Sequence, residues 1–328
     1  MLDKYFPLYV IIFILSLLIT VTIEKKLIPI LSKSAKQPIY TDGPKWHSKK
    51  SGTPTMGGVA FIISVVISFL FAGIVLFNKE TSNMVLSLII SLSFALLNSL
   101  VGIIDDLKKL KKKENLGLTA KQKLLLQFLI ATLFLIARRF FLSDNTVVYF
   151  SFGEFDLGAF YYPLSLVLIV GIINCANLTD GIDGLASSVA FGIGISFLYI
   201  SAALNTSSAI VATTIIGASI GFLVFNLHPA KIFMGDTGSL FFGALVTSCA
   251  FELQNPTLII PIAGVYVIEG CSVILQVIWY KLFKKRIFKM APLHHHLERC
   301  GWSENKICIV AILSTFIFSI PAYIFYLP

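Results

Sequence analysis

Long apolar runs recur along the whole chain, separated by shorter polar and basic segments. Ten runs stand out, at residues 5–23, 56–77, 84–104, 124–138, 161–176, 185–203, 210–226, 238–254, 258–280 and 307–326. A bilayer core about 30 Å thick takes roughly 20 residues of helix, and most of these runs approach that length. The pattern predicts an all-α polytopic integral membrane protein with about ten transmembrane helices. No internal repeat or shift of composition divides it, so residues 1–328 read as one transmembrane domain. The first run lacks a small-x-small cleavage site and is followed by many others, which predicts a retained helix and not a cleaved leader. Between residues 139 and 160, the alternation of Val147, Tyr149 and Ser151 with Gly153 and Gly158 predicts a small hairpin. Asp144, Glu154 and Asp156 in that stretch read as solvated loop charges.

Composition agrees with this reading. Of the residues, 56% are hydrophobic and 13% charged, against about 25% charged in an average soluble domain. The net charge of +9 comes from loops. Segments 24–55, 105–123, 177–184, 227–237 and 281–306 hold 22 of the 26 Lys and Arg residues. The positive-inside rule places these five segments in the cytoplasm and both termini outside. The excess of cations is thus a matter of topology, and no nucleic-acid partner is expected. The five cysteines have no CxxC spacing, which predicts free thiols and no zinc site.

The unusual polar residues gather on the expected cytoplasmic side. Asp105 and Asp106 close the third run, where a helix C-terminus disfavours anions by up to about 1 kcal/mol. A neighbouring pair that repels itself there points to chemistry more than to solvation. Asn177, Thr179, Asp180 and Asp183 lie between the fifth and sixth runs among glycines. Asp180 and Asp183 are expected to open the sixth helix, where i,i+3 spacing would put them on one face. Helix capping accounts for one such carboxylate, not for the whole set. Asn226, Phe233 and Asp236 lie between the seventh and eighth runs, with Asp236 or Thr237 the expected cap of the eighth helix. The N-termini of the sixth and eighth helices would then open to one face and attract phosphate. Carboxylates beside phosphate call for a bridging cation, usually Mg²⁺, with Asp236 the first choice of ligand.

His294, His295 and His296 follow Pro292, which suits the first turn of a short helix. Consecutive helical residues point about 100° apart, so the three imidazoles cannot share one ion. One or two of them are expected to face the cleft. Lys50 and Thr55 before the second run, and Lys121 and Lys123 before the fourth, add cations and a hydroxyl to the same side. Singly, each lysine reads as a topology charge. Acidic groups, a cation, lysines and histidines at a membrane boundary suit phosphoryl transfer between a soluble and a lipid substrate. The chain carries no Walker loop, which argues against an ATPase. Intramembrane carboxylates also suit an ion-coupled transporter, but here most lie at span ends and no repeat is visible.

Five motifs then carry a resemblance over essentially the whole chain. They are Thr53-Pro-Thr-Met-Gly-Gly, Gly102-Ile-Ile-Asp-Asp, Asn177-Leu-Thr-Asp-Gly-Ile-Asp-Gly-Leu, Phe233-Met-Gly-Asp-Thr-Gly-Ser and Met290-Ala-Pro-Leu-His-His-His. In this order the chain resembles the phospho-N-acetylmuramoyl-pentapeptide transferases, the MraY-type enzymes of bacterial peptidoglycan synthesis. Relatives acting on UDP-N-acetylhexosamines usually carry a different histidine motif. The resemblance implies Mg²⁺-dependent transfer from UDP-MurNAc-pentapeptide to undecaprenyl phosphate, giving lipid I and UMP. It implies Asp236 as metal ligand, with Asp105 and Asp106 at the reacting phosphates. It places Asn177, Asp180, Asp183 and Phe233 on the uridine side, with Lys50 and Thr55 nearby. Asn226 and His294–His296 would complete the cleft. It further implies a homodimer in the bacterial cytoplasmic membrane, with the active site facing the cytoplasm. The ninth span is a candidate to bend at Glu269 and Gly270 to hold lipid.

Overall fold

The apolar runs fold into helices: α1 (Phe6–Ser34), α2 (Gly58–Val75), α3 (Ser82–Lys112), α4 (Ala120–Phe141), α5 (Tyr161–Thr179), α6 (Leu185–Leu204), α7 (Ser207–Asn226), α8 (Gly235–Glu252), α9 (Ile259–Ile262), α10 (Gly264–Phe283), α11 (Leu293–Arg299) and α12 (Glu304–Tyr326). The computed structural model describes residues 5–35, 50, 52–77, 81–112, 117–150, 152–204 and 207–326. Part of the expected loop 24–55, residues 36–49 and 51, and Lys113 of the basic segment after α3 lie outside the described residues. The predicted hairpin forms, with β1 (Val147–Phe150) antiparallel to β2 (Gly153–Asp156). All five cysteines are free.

Among the described residues, nine helices are long and apolar enough to cross a membrane. The tenth expected span, α8, is not among them. From Thr237 to Glu252 every residue of α8 is buried. A helix enclosed by protein needs no continuous apolar surface, so α8 can carry Thr, Ser and Gly where the outer helices carry Leu and Ile. α3, α5, α7 and α2 pack around it. Phe61 of α2 stacks on Phe242 of α8 at 4.3 Å and meets Phe222 of α7 edge-on at 5.3 Å. Such pairs add about 0.5–1.5 kcal/mol beyond their buried area.

Three boundaries differ from the sequence expectation. α1 and α3 do not stop where their apolar runs stop. α1 continues through Glu24, Lys25 and Lys26 to Ser34, and α3 continues past Asp105 and Asp106 to Lys112. Lys and Glu are good helix formers, so loss of hydrophobicity marks the membrane edge and not the helix end. Asp105 and Asp106 therefore lie inside α3 and do not oppose a helix C-terminus. The ninth span is divided, into a 3₁₀ turn at Pro256–Leu258, α9 and α10, with the break at Ala263 and not at Glu269 or Gly270. Pro261 contributes to the break, since it has no N–H for a helical bond and crowds the turn before it.

Asp144 also departs from expectation. It is buried and bonded to Arg138 Nε at 2.6 Å. Arg138 Nη2 donates to the Phe251 carbonyl at 2.6 Å, and Ser91 donates to Glu252 Oε1 at 2.5 Å. The helical residues Arg138 and Glu252 thus form a closed ionic cluster at the α8 C-terminus. Glu154 and Asp156 are exposed, as expected.

Candidate active site

The opposite end of α8 is where the sequence-predicted residues converge. α8 begins at Gly235 with no side-chain cap of its own. Asp106, from α3, supplies one in trans. Its Oδ1 accepts from the Asp236 N–H at 3.2 Å, and its Oδ2 from the Thr237 N–H at 2.9 Å and the Thr237 hydroxyl at 2.7 Å. Orphan donors at a helix N-terminus call for such a partner. The expectation that Asp236 or Thr237 caps α8, leaving its N-terminus open for phosphate, is corrected: both N–H groups are taken. The contact needs a close approach of α3. A Cβ at Gly102 would lie 2.2 Å from the Asp236 carbonyl oxygen, so only glycine fits there.

Asp236 is thereby fixed at the head of α8, with its side chain 15% exposed. Asn177 Nδ2 donates to its Oδ1 at 3.0 Å and to Ser239 Oγ at 2.7 Å. Lys109 Nζ lies 3.1 Å from Asp236 Oδ2, and Lys123 bonds the same oxygen. Both lysines also reach Asp105 Oδ2, at 2.7 and 3.1 Å. Asp105 is fully buried, and its Oδ1 accepts from the Leu118 N–H at 2.6 Å. Asp105, Asp106 and Asp236 each bring a carboxylate oxygen within 4.8 Å of the others. Three hard oxygen donors at that spacing fit a divalent cation such as Mg²⁺. Two ammonium groups against three carboxylates leave one formal negative charge, which favours one further cation.

A model for glycosyl transferase family 4 matches residues 85–254, from α3 to the end of α8. A phospho-N-acetylmuramoyl-pentapeptide-transferase signature matches residues 50–62, which hold Lys50 and Thr55. A protein of that name from Halalkalibacterium halodurans is 45% identical over 302 residues, 90% of each chain. One from Caldicellulosiruptor bescii is 42% identical over 312 residues, 94% of each chain. One from Bacillus thuringiensis is 43% identical over 298 residues, 89% of this chain and 90% of its own. The chain belongs to the phospho-N-acetylmuramoyl-pentapeptide transferase family.

In this transferase the remaining expected residues take several positions. Asp180 is the C-cap of α5 and Asp183 lies in the turn before α6, so the two do not share a helical face. Gly184, at φ +79°, turns the chain in a way that delays α6 to Leu185. Asp180 still lies within the electrostatic reach of Asp236, Asp106 and Asp183. Burial, then those three charges, raise its pKa from 3.8 to about 8. Asp183 is buried, and its Oδ2 accepts from the Ala230 N–H at 3.0 Å. Its Oδ1 is 2.7 Å from Lys50 Nζ.

Asn226 is buried and ties two loops together. Its Oδ1 accepts from the Gly184 N–H at 3.1 Å, and its Nδ2 donates to the Ile232 carbonyl at 2.8 Å. Thr55 is buried beside Gly235, where a Cβ would lie 2.9 Å from its hydroxyl. Phe233 is partly buried, its N–H bonded to the Pro54 carbonyl at 2.9 Å. Lys121 is exposed and parts from Lys123, as two residues two apart on a helix must.

The histidines diverge as their spacing requires. His294 is buried, with Nδ1 3.1 Å from Glu269 Oε2 and Nε2 set against Gly181, where a Cβ would lie 2.2 Å away. His295 Nδ1 lies 2.6 Å from Glu298. His296 turns away, with Nδ1 accepting from the Lys289 N–H at 3.1 Å. The sequence pattern singles out neither Lys109, His228 nor Glu304, and offers Thr237 only as a cap and Glu269 only as a bend. Lys109 had a signal, at i+4 from Asp105 and i+3 from Asp106 on one helix. Glu269, His228 and Glu304 reach their partners from positions distant in the chain.

Proposed function

We propose that this transferase moves phospho-N-acetylmuramoyl-pentapeptide from its UDP carrier to undecaprenyl phosphate, releasing UMP and leaving lipid I. The observation that carries this reading is the Asp105–Asp106–Asp236 group braced by Lys109 and Lys123. An oxygen of the lipid phosphate bonds to the phosphorus that bears the sugar. The bond from that phosphorus to the UMP oxygen breaks, and UMP departs with its electron pair. Positioning and charge neutralisation suffice for such a displacement, so no covalent enzyme intermediate is needed.

Mg²⁺ would be held by Asp236, with Asp105 and Asp106 in reach, and supplies positive charge to the phosphate oxygens when bound. Asp106 works through α8, whose first turn it holds. Asp105 orients Lys109 and Lys123, whose ammonium groups face the phosphates. Asn177 keeps Asp236 in one rotamer. Asp180, Asp183, Lys50 and Phe233 serve the uridine side, with Thr55 and Asn226 holding the loops that present them. His294 and His295, each braced by a glutamate, line the cleft. The site faces the cytoplasm of a bacterium, in agreement with the charge bias of the loops, and the enzyme acts as a homodimer, as the family implies.

The test is UMP release by the purified protein given both substrates. Wild type releases UMP with Mg²⁺, and EDTA abolishes it. Asp236→Ala lowers turnover by about 10²-fold or more, the scale for losing one group that stabilises transition-state charge. Release with UDP-GlcNAc alone would move the protein to another branch of the superfamily. Full turnover in Asp236→Ala would remove it as metal ligand.

A further inference from the structure

Glu304 is the first residue of α12, where an acidic side chain suits the helix dipole. Its contacts go beyond that. Oε2 accepts from Lys50 Nζ at 2.6 Å and from the backbone N–H of Asp183 at 2.7 Å. Oε1 lies 3.3 Å from His228 Nδ1, which also lies 3.0 Å from Asp183 Oδ2. One carboxylate thus ties together the segment before α2, the turn between α5 and α6, and the loop after α7. Its side chain is 11% exposed and that of Lys50 19%.

Asp183, His228 and Glu304 are close enough to hold a metal ion. The Lys50 ammonium decides against it. It already lies at hydrogen-bond distance from both carboxylates, so this group carries its own cation. An ammonium has three donors. Asp183 and Glu304 accept two, which fixes the direction of the third. Lys50 against two carboxylates leaves one formal negative charge while His228 is neutral. With Lys50 in the place of a metal ion, the group has no divalent cation to draw a diphosphate and suits uncharged hydroxyl and amide groups. The uridine end of a UDP substrate offers those groups, and its phosphates belong with Lys109 and Lys123.

We infer that Glu304 is a positioning residue for the nucleoside end of the substrate, acting through Lys50 and the Asp183 turn. This rests on the proposed reaction, since it takes a uridine nucleotide as ligand. Removing the charge of Glu304 frees the Lys50 amine and loosens the turn, without touching the lipid substrate or the reacting phosphates.

The test measures UMP binding to the full-length protein by calorimetry, beside KM for each substrate. In Glu304→Gln the Kd for UMP and the KM for UDP-MurNAc-pentapeptide rise about tenfold or more, the scale for one charge-assisted hydrogen bond. The KM for undecaprenyl phosphate stays near the wild-type value. Glu304→Asp keeps the charge on a shorter arm and recovers part of the UMP affinity. If Glu304→Gln does not fold, Glu304→Asp is read alone, with a severalfold weaker UMP affinity expected. Wild-type UMP affinity in the folded variants would overturn the inference, as would a parallel rise of both KM values, which marks a merely structural role. Wild type that binds UMP and releases it upholds the proposed reaction in either case. Wild type that binds no UMP overturns both.

Discussion

Asp180 lies where the fields of Asp236, Asp106 and Asp183 meet, and these charges together with burial hold its pKa near 8. The folded protein therefore keeps a proton that the unfolded chain releases near pH 3.8. Stability rises with pH only where the unfolded state binds more protons, and here the folded state binds more. The contribution of Asp180 to stability is thus lost as pH climbs from about 4 to about 8. Asp180→Asn removes that dependence. In metal-free buffer its Tm should gain on the wild type by a few degrees between pH 5 and 8. A Tm difference that does not change with pH would show that Asp180 ionises freely in the fold. Asp236 shows the other side of the same electrostatics, since Lys109 and Lys123 both bond its Oδ2.

At the scale of elements, the site depends on how closely α3 approaches α8. Asp106 reaches the α8 N–H groups only because Gly102, one turn earlier, places the α3 backbone against the Asp236 carbonyl. Gly102→Val should push the two helices apart. The cost is about 1–3 kcal/mol, the usual range for overpacking. UMP release should fall much further, because Asp236 moves with the first turn of α8 and a small misplacement can cost about 10²-fold. Thermal unfolding and turnover measured together check this. A variant with wild-type Tm and turnover would mean that the helices do not touch there. The short α11 follows the same logic, since Glu269 of α10 holds the His294 ring and backbone N–H and so sets where α11 sits.

At the scale of the whole molecule, α8 is an enclosed axle with an ionic cluster at each end. Eighteen residues at 1.5 Å each span about 27 Å, close to the thickness of the hydrocarbon core. Asp236 sits at one end, and Glu252 with Arg138 at the other. The two polar groups therefore lie near opposite membrane faces. Cys300, exposed at the end of α11, reports which face holds the active site. A membrane-impermeant maleimide should label Cys300 in inverted vesicles and not in intact cells. The reverse result would turn the proposed orientation over. Cys271 is also exposed, but it lies within α10, a helix long and apolar enough to cross the membrane.

The order of amino acids alone carries the helical class, the hairpin, the free thiols and the family. These follow from local composition, periodicity and short motifs. It also named Asp105, Asp106, Asn177, Asp183 and Asp236, because carboxylates and amides crowded at span ends are costly without a purpose. Helix packing, in contrast, makes Asp106 the cap of α8 and lets Lys109 and Lys123 share Asp105 and Asp236. It also joined Glu304 to Lys50 and gave Asn226 to the loops. A side chain's partner is set by which helices pack together, and residues 13, 130 and 254 positions apart meet here for that reason. Helix ends escaped the sequence too, since a helix stops where its backbone donors and acceptors find other partners, not where hydrophobicity ends.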